Sequence, residues 1–336
     1  MDAGSKTVPV QITEDEAAVY DRQIRLWGIE AQQRMRNASI LVINLKGVAT
    51  EAIKNIVLAG IGKLVIVDPE TVAEEDLGAC FFLRGEDVGR KRVEAAKGRV
   101  ESLNPLVAVE TISDGSVLEG PALDALIQTV DLVCMTDSSR AELSRVNEAC
   151  RRLKKPFYSG GSYGLLGYIF CDLQHHEFIS PDRTGTKDVP RSVKASLDYP
   201  SLQNALQHKW STMTKRQTKE VNPAVVFTVL AIWEFEARNN RLPSEGKDAD
   251  ALEQLANEFI SAAGVDKKVL THIPRDLVEY LSTTAAHEFS PICAVVGGML
   301  GQDILKSLAA REAPIANFFA FDGHTGTGTV TRMNMP

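Results

Sequence analysis

Two groups of side chains in this 336-residue chain have types and spacing suited to chemistry. One is the run Asn44-Leu45-Lys46-Gly47-Val48-Ala49. It follows an apolar, β-branched stretch at 38–43 and precedes Ala52, Ile53, Ile56, Val57 and Ala59 at helical spacing. A strand, a tight loop and a helix N-terminus in that order cradle nucleotide phosphates, and an acid about twenty residues on takes the ribose. Leu64-Val65-Ile66-Val67 ends in Asp68 at that place. The loop itself departs from the pattern, because only Gly47 remains of G-x-G-x-x-G. Asn44, Lys46 and Ala49 stand where glycine would permit the tight turn and the close approach of a phosphate. The other group is cationic. Asp21, Arg22 and Arg25 share the polar face of a helix that Thr13-Glu14-Asp15-Glu16 opens as a capping box and Gly28 ends. A guanidinium so placed is either a solvated surface charge or a bidentate partner for phosphate oxygens.

Other reactive types carry less. The five cysteines (Cys80, Cys134, Cys150, Cys171, Cys293) are odd in number and include no C-x-x-C pair. They read as free buried thiols in a reducing compartment, with no structural zinc site. His175-His176-Glu177 lies in a β-prone run, where adjacent histidines point to opposite faces rather than to one metal. Arg151-Arg152-Leu153-Lys154-Lys155 reads as a solvated helix end whose cations favour the C-terminal dipole.

The elements that must position these groups alternate. A helix carries Ala17, Tyr20, Ile24 and Trp27 on one face, and a shorter one runs through 31–35. From residue 38 the rhythm is β-α-β, with a helix at 88–103, a strand at 106–111, a helix near 121–129, a strand at 131–135, a helix at 140–153 and a strand at 156–159. This implies a doubly wound, mostly parallel α/β sheet. The glycine-rich run 160–173 suggests a turn into antiparallel strands. Residues 180–200 read as a linker or mobile loop. Residues 201–284 read as a small helical insertion with its own core, around Trp210, Phe227, Trp233, Phe235, Phe259 and Tyr280. A helix begun by Ser290 and Pro291 and two short strands at 317–322 and 328–332 close the chain. The expected division is 13–178 and 285–336 for the sheet domain, with 179–284 as linker and insertion.

Hydrophobic residues make up 44% and charged residues 24%, as in globular proteins, and the net charge of −7 argues against a general nucleic-acid binder. No membrane partner is expected, since no apolar run reads as a span and the first residues lack the basic start and apolar core of a signal peptide.

Tyr20-Asp21-Arg22-Gln23-Ile24-Arg25-Leu26-Trp27-Gly28 resembles the opening helix of the ubiquitin-activating enzyme family. Gly47-Val48-Ala49, Asp68-Pro69-Glu70-Thr71-Val72, Val88-Gly89-Arg90 and the stretch 291–308 follow in that family's order and spacing. The short length, the Leu45-Lys46-Gly47 loop and the ending Phe318-Phe319-Ala320-Phe321-Asp322-Gly323 are most similar to the small, non-thioester subunits of its SUMO-directed branch. The resemblance covers about 13–178 and 285–330 well and the insertion loosely.

That resemblance implies a Rossmann-like adenylation fold and ATP-dependent adenylation of the C-terminal glycine of a ubiquitin-like protein. It also implies that this chain is a pseudoenzyme. The family's phosphate-binding Asn-x-Asn-Arg-Gln run is matched by Asp76, Gly78, Ala79 and Cys80. Arg92 stands for the family's lysine, and Thr136 for its magnesium-binding aspartate, with Asp137 adjacent. No cysteine lies between Cys171 and Cys293 to form a thioester. The implied complex is a heterodimer with a large thioester-forming subunit, which would hold Mg-ATP and SUMO; no cofactor or metal of this chain's own is implied. Arg22 would cross to the γ-phosphate of the partner's ATP, with Arg25 in support. The resemblance also implies nuclear localisation. The alternatives are the small subunit for another modifier such as NEDD8, an autonomous homodimeric adenylating protein, and a nicotinamide-dependent oxidoreductase.

Overall fold

A computed structural model describes residues 11–181 and 192–336. The capping box forms as the sequence predicts: Thr13 Oγ1 accepts from Glu16 N at 3.2 Å and Glu16 Oε2 accepts from Thr13 N at 3.0 Å. The helix it opens is not continuous, however. It breaks at Tyr20 into α1 (Glu14–Val19) and α2 (Asp21–Trp27), followed by α3 (Ile29–Asn37). Tyr20 explains the break, since its ring packs over Gly60 and its hydroxyl accepts from Asn104 Nδ2 at 2.8 Å. One fully buried anchor displaces the amphipathic stripe that periodicity implies; Ile24 and Trp27 are only half buried.

The alternating rhythm then holds through β1 (Ser39–Ile43), α4 (Gly47–Leu58), β2 (Lys63–Val67), α5 (Arg92–Glu101), β3 (Ala108–Ile112), α6 (Gly120–Gln128), β4 (Leu132–Thr136), α7 (Arg140–Arg152) and β5 (Phe157–Tyr163). Helix α5 starts later than expected, because short 3-10 turns and Gly89 at φ +86° occupy the approach. The glycine-rich run extends β5 through Gly160 and Gly161 before turning at Gly164 into β6 (Leu166–Asp172). β7 (His175–Pro181) and β8 (Ser192–Asp198) form a separate antiparallel pair, so part of the expected linker is strand. After α8 (Leu202–Ala205), α9 (Lys215–Glu220), α10 (Pro223–Asn239), α11 (Asp248–Ala263), α12 (Arg275–Thr284) and α13 (Ser290–Ala309), the strands β9 (Phe318–Asp322) and β10 (Thr327–Thr331) return to the sheet. Its order is β10-β9-β6-β5-β4-β1-β2-β3, with β5 to β3 parallel and β6, β9 and β10 antiparallel.

Residues alternate between two apolar layers, as period-two strands require. Ile40 and Val42 face α4 and α13, whereas Leu41 and Ile43 face the layer of α6, α7 and α10. That second layer corrects the expectation of an insertion with its own core. Trp233 of α10 stands edge-on to Tyr168 and Phe318 of the sheet, with ring centroids 5.0 and 6.3 Å away, and donates from Nε1 to Tyr163 Oη at 2.9 Å. The helical stretch is thus one cover of the sheet. On the other face α13 crosses α4 closely at Gly297 and Gly301, where a Cβ would meet the Val48 and Ala52 carbonyl oxygens at 2.4 and 3.0 Å. Helix α13 is long and apolar enough by composition to cross a bilayer, but half of it is buried against these elements.

Candidate functional site

The topological switch point of the sheet lies between β1 and β4, where an open α/β sheet binds its ligands. The loops after both strands meet there. Asn44 adopts φ +68°, a left-handed conformation that asparagine tolerates better than most residues, so the turn is made without the missing glycine. Its side chain then bridges the two loops: Nδ2 donates to Thr136 O at 3.0 Å and to Ser138 Oγ at 2.7 Å. Thr136 Oγ1 answers by donating to Asn44 O at 3.2 Å, which leaves the hydroxyl turned into the chain.

The ribose position is equally committed. Asp68 is buried, and its Oδ2 accepts from Leu45 N at 2.8 Å while Oδ1 accepts from Glu70 N at 2.8 Å. The Arg92 guanidinium lies 3.4 Å from Asp68 Oδ2 and donates from Nε to Asp76 Oδ2 at 2.8 Å. Burial opposes its charge, but Asp76 and Asp68 outweigh that and hold its pKa above the ordinary value. Ala79 packs where a Cβ at Gly47 would come within 2.8 Å, and the buried Ala49 adds to the same contact layer. Asn44, Lys46, Arg92 and Asp137 line a cavity of about 430 Å³ with Pro69, Glu70 and the start of α7; Asn44 is held there by Thr136 and Ser138, and Arg92 by Asp76 and Asp68.

Asp137 is the exception in that wall. It takes φ +46° just past β4, its Oδ1 accepts weakly from Ser162 N at 3.3 Å, and its buried Oδ2 has no partner among the described residues. Burial and the nearby Glu288 charge push it up to about 7, against the attraction of Lys46. Glu288, which the sequence analysis does not single out, accepts from Gly47 N through Oε1 at 2.9 Å and is itself pushed up, chiefly by burial. No sequence signal marks it, since its partner is 241 residues away.

The cations of α2 lie elsewhere, on the surface. Arg22 is exposed and has no hydrogen-bond or ion-pair partner among the described residues. Arg25 is paired with Asp21 one turn earlier at 3.0 Å and is 78% exposed. Around them the surface is unusually apolar, with Leu26 at 80%, Val19 at 67% and Ile29 at 51% exposure. The basic run 151–155 is less solvated than expected. Arg151 pairs with buried Asp172 at 2.8 Å, and Arg152 with Asp124 at 2.7 Å. His175 Nδ1 lies 2.7 Å from Asp198 Oδ1, and His176 stacks on Phe178. The five cysteines are all buried and unpaired; burial pushes the Cys80 thiol up to about 11 and the Cys134 thiol up to about 12.

The ThiF family matches residues 20–336. The chain belongs to the ThiF family. Bos taurus "SUMO-activating enzyme subunit 1" is 37% identical over 341 residues, covering 95% of both chains. The Rattus norvegicus protein of the same name is 36% identical over 340 residues, with the same coverage. These matches bear out the resemblance to the SUMO-directed branch drawn from the length, the Leu45-Lys46-Gly47 loop and the Phe318–Gly323 ending. The crystal structure of PaaA shares the fold, with a TM-score of 0.58 at 13% identity over 98% of this chain and 77% of that one.

Proposed function

We propose that this ThiF-family chain is the SUMO-activating enzyme subunit that carries no reactive centre of its own. It pairs with a larger thioester-forming partner, which holds Mg-ATP and SUMO, and it supplies Arg22 to the phosphates in trans. Likeness to proteins named SUMO-activating enzyme subunit 1 over nearly the whole chain supports SUMO activation. One observation carries the division of labour. In the chain's own crevice Asn44 is bound to Thr136 and Ser138 and Arg92 to Asp76, while Arg22 stands exposed and, among the described residues, unpaired, with Val19, Leu26 and Ile29 exposed near it in sequence.

Attack of a carboxylate on an α-phosphate needs cations where negative charge gathers. A guanidinium on a short helix presents two parallel donors without deprotonating, and the neighbouring apolar surface would exclude water when covered. Arg25, already engaged by Asp21, is better placed to steady that helix than to reach a ligand. The buried cysteines, whose thiols burial drives away from thiolate, offer no acyl acceptor. Nuclear localisation belongs to the same reading and is tested by imaging the tagged full chain with its partner.

The test is ATP–pyrophosphate exchange with SUMO by this chain alone, by the partner alone and by both. Exchange by the mixture only supports the reading. Exchange by this chain alone would make it an autonomous adenylating enzyme. Exchange by the mixture with NEDD8 in place of SUMO would assign it to another modifier.

A further inference from the structure

Helix α2 carries Arg22, yet it has only seven residues and none of them is fully buried. A helix that short does not hold itself together in water, so its place depends on ties to the rest of the fold. Three side-chain amides supply such ties. They end on consecutive carbonyls at the C-terminus of α4, where a helix leaves its last acceptors without intrahelical donors. At the start of α2, Asn104 Nδ2 donates to Tyr20 Oη at 2.8 Å and to Val57 O at 2.9 Å. In the middle, Gln23 Nε2 donates to Leu58 O at 3.3 Å. At the end, Gln32 of α3 accepts from Trp27 Nε1 through Oε1 at 3.1 Å and donates from Nε2 to Ala59 O at 2.8 Å. Tyr20, Gln32 and Asn104 are all buried. A buried amide engaged at both its oxygen and its nitrogen has one orientation, since turning it leaves polar groups unpaired. The support is rigid in turn, because α4 is locked beneath α13 at Gly297 and Gly301.

We propose that Gln32 and Asn104 are positioning residues for Arg22: by tying the two ends of α2 to the carbonyls of α4, they hold the guanidinium in one place before a phosphate reaches it. The inference rests on the reading of Arg22 as a group that acts on the partner's ATP, and it supplies the means by which a short surface helix presents that group. Neither amide touches the ligand. Each acts through the helix end that it pins, and a small displacement of a positioned cation is enough to slow chemistry.

The experiment is ATP–pyrophosphate exchange with SUMO, at saturating concentration of the proposed partner, run as double-mutant cycles against Arg22→Ala. Gln32→Met and Asn104→Leu remove the amides themselves. Tyr20→Phe and Trp27→Phe are milder: each removes one bond on the α2 side and leaves the amides bound to α4. With Arg22 present, each Phe variant is expected to slow exchange about 2- to 10-fold, the range of a single neutral hydrogen bond, and the double Phe variant by more. With Arg22→Ala in place, the same substitutions are expected to leave the remaining rate unchanged. Equal slowing in both backgrounds is the mark of a merely structural role and would overturn the proposal. So would wild-type exchange by the double Phe variant, a result that does not depend on Gln32→Met or Asn104→Leu folding. If Arg22→Ala itself exchanges at the wild-type rate, the reading of Arg22 fails and the positioning role with it. If Arg22→Ala is slow and the pinning variants are not, the positioning role alone fails.

Discussion

Gly297 and Gly298 are neighbours on α13, yet they should respond in opposite directions to the same substitution. A Cβ at Gly297 would lie 2.4 Å from the Val48 carbonyl oxygen and 2.6 Å from Glu51 Cβ, where ordinary contact begins at 3.4 Å. The crossing of α13 over α4 must therefore open by roughly 1 Å, and both partners are backbone or near it, so neither can swing aside. Overpacking of this kind costs about 1–3 kcal/mol, and the upper end applies to a clash with a carbonyl. Alanine returns about 1 kcal/mol through helix propensity. Gly297→Ala should thus destabilise the chain by about 2 kcal/mol. A Cβ at Gly298 meets nothing within 4 Å. Only the propensity gain remains there, so Gly298→Ala should stabilise by up to about 1 kcal/mol. Urea unfolding of the two variants beside wild type measures both, with unchanged m-values as the check that the unfolded state is comparable. Equal shifts of the same sign would refute the close backbone approach as the reason for glycine at 297.

Arg92→Met leaves Asp76 and Asp68 buried without their cation and should cost about 3–5 kcal/mol in urea unfolding, the loss expected on breaking a buried pair. Asn44→Ala loses two donors and strains a positive φ, so it should cost about 1–3 kcal/mol, while Asn44→Gly, free of the strain, should cost less by the same measurement. Asp137 binds its proton more tightly folded than unfolded, so wild-type stability should fall as pH rises from about 4 through about 7. In Asp137→Asn that contribution should vanish, so melting temperatures against pH should separate the two proteins above pH 7 and bring them together in acid.

The sheet was legible because its signals are local. The buried runs 39–43, 63–67 and 132–136 need only β-branched composition and flanking turns to be read, and the helices between them show their period. The break at Tyr20 was not legible, because it depends on Gly60 and Asn104, far away in sequence. Nor was the merging of the 201–284 helices with the sheet core: aromatic spacing on α10 shows that Trp233 is buried, but not that Tyr168 and Phe318 bury it. In the site, the missing glycines could be read from the loop pattern, whereas Arg92 and Thr136 were marked only by what the family resemblance implies. How the chain compensates could not, since Asn44 to Ser138 and Glu288 to Gly47 are long-range pairings with no periodicity.

The proposed division of labour rests on Arg22, and exchange kinetics reach it most directly. The measurement is ATP–pyrophosphate exchange with SUMO by the complex of this chain with the proposed thioester-forming partner, comparing wild type with Arg22→Ala. Arg22 is exposed and unpaired among the described residues, so the variant should fold and assemble as wild type does. Loss of one charge-assisted phosphate contact, about 1.5–3 kcal/mol, should slow exchange about 10- to 150-fold, with Arg25→Ala showing a smaller effect. An intact Arg22→Ala complex exchanging at the wild-type rate would contradict a role for Arg22 at the partner's ATP.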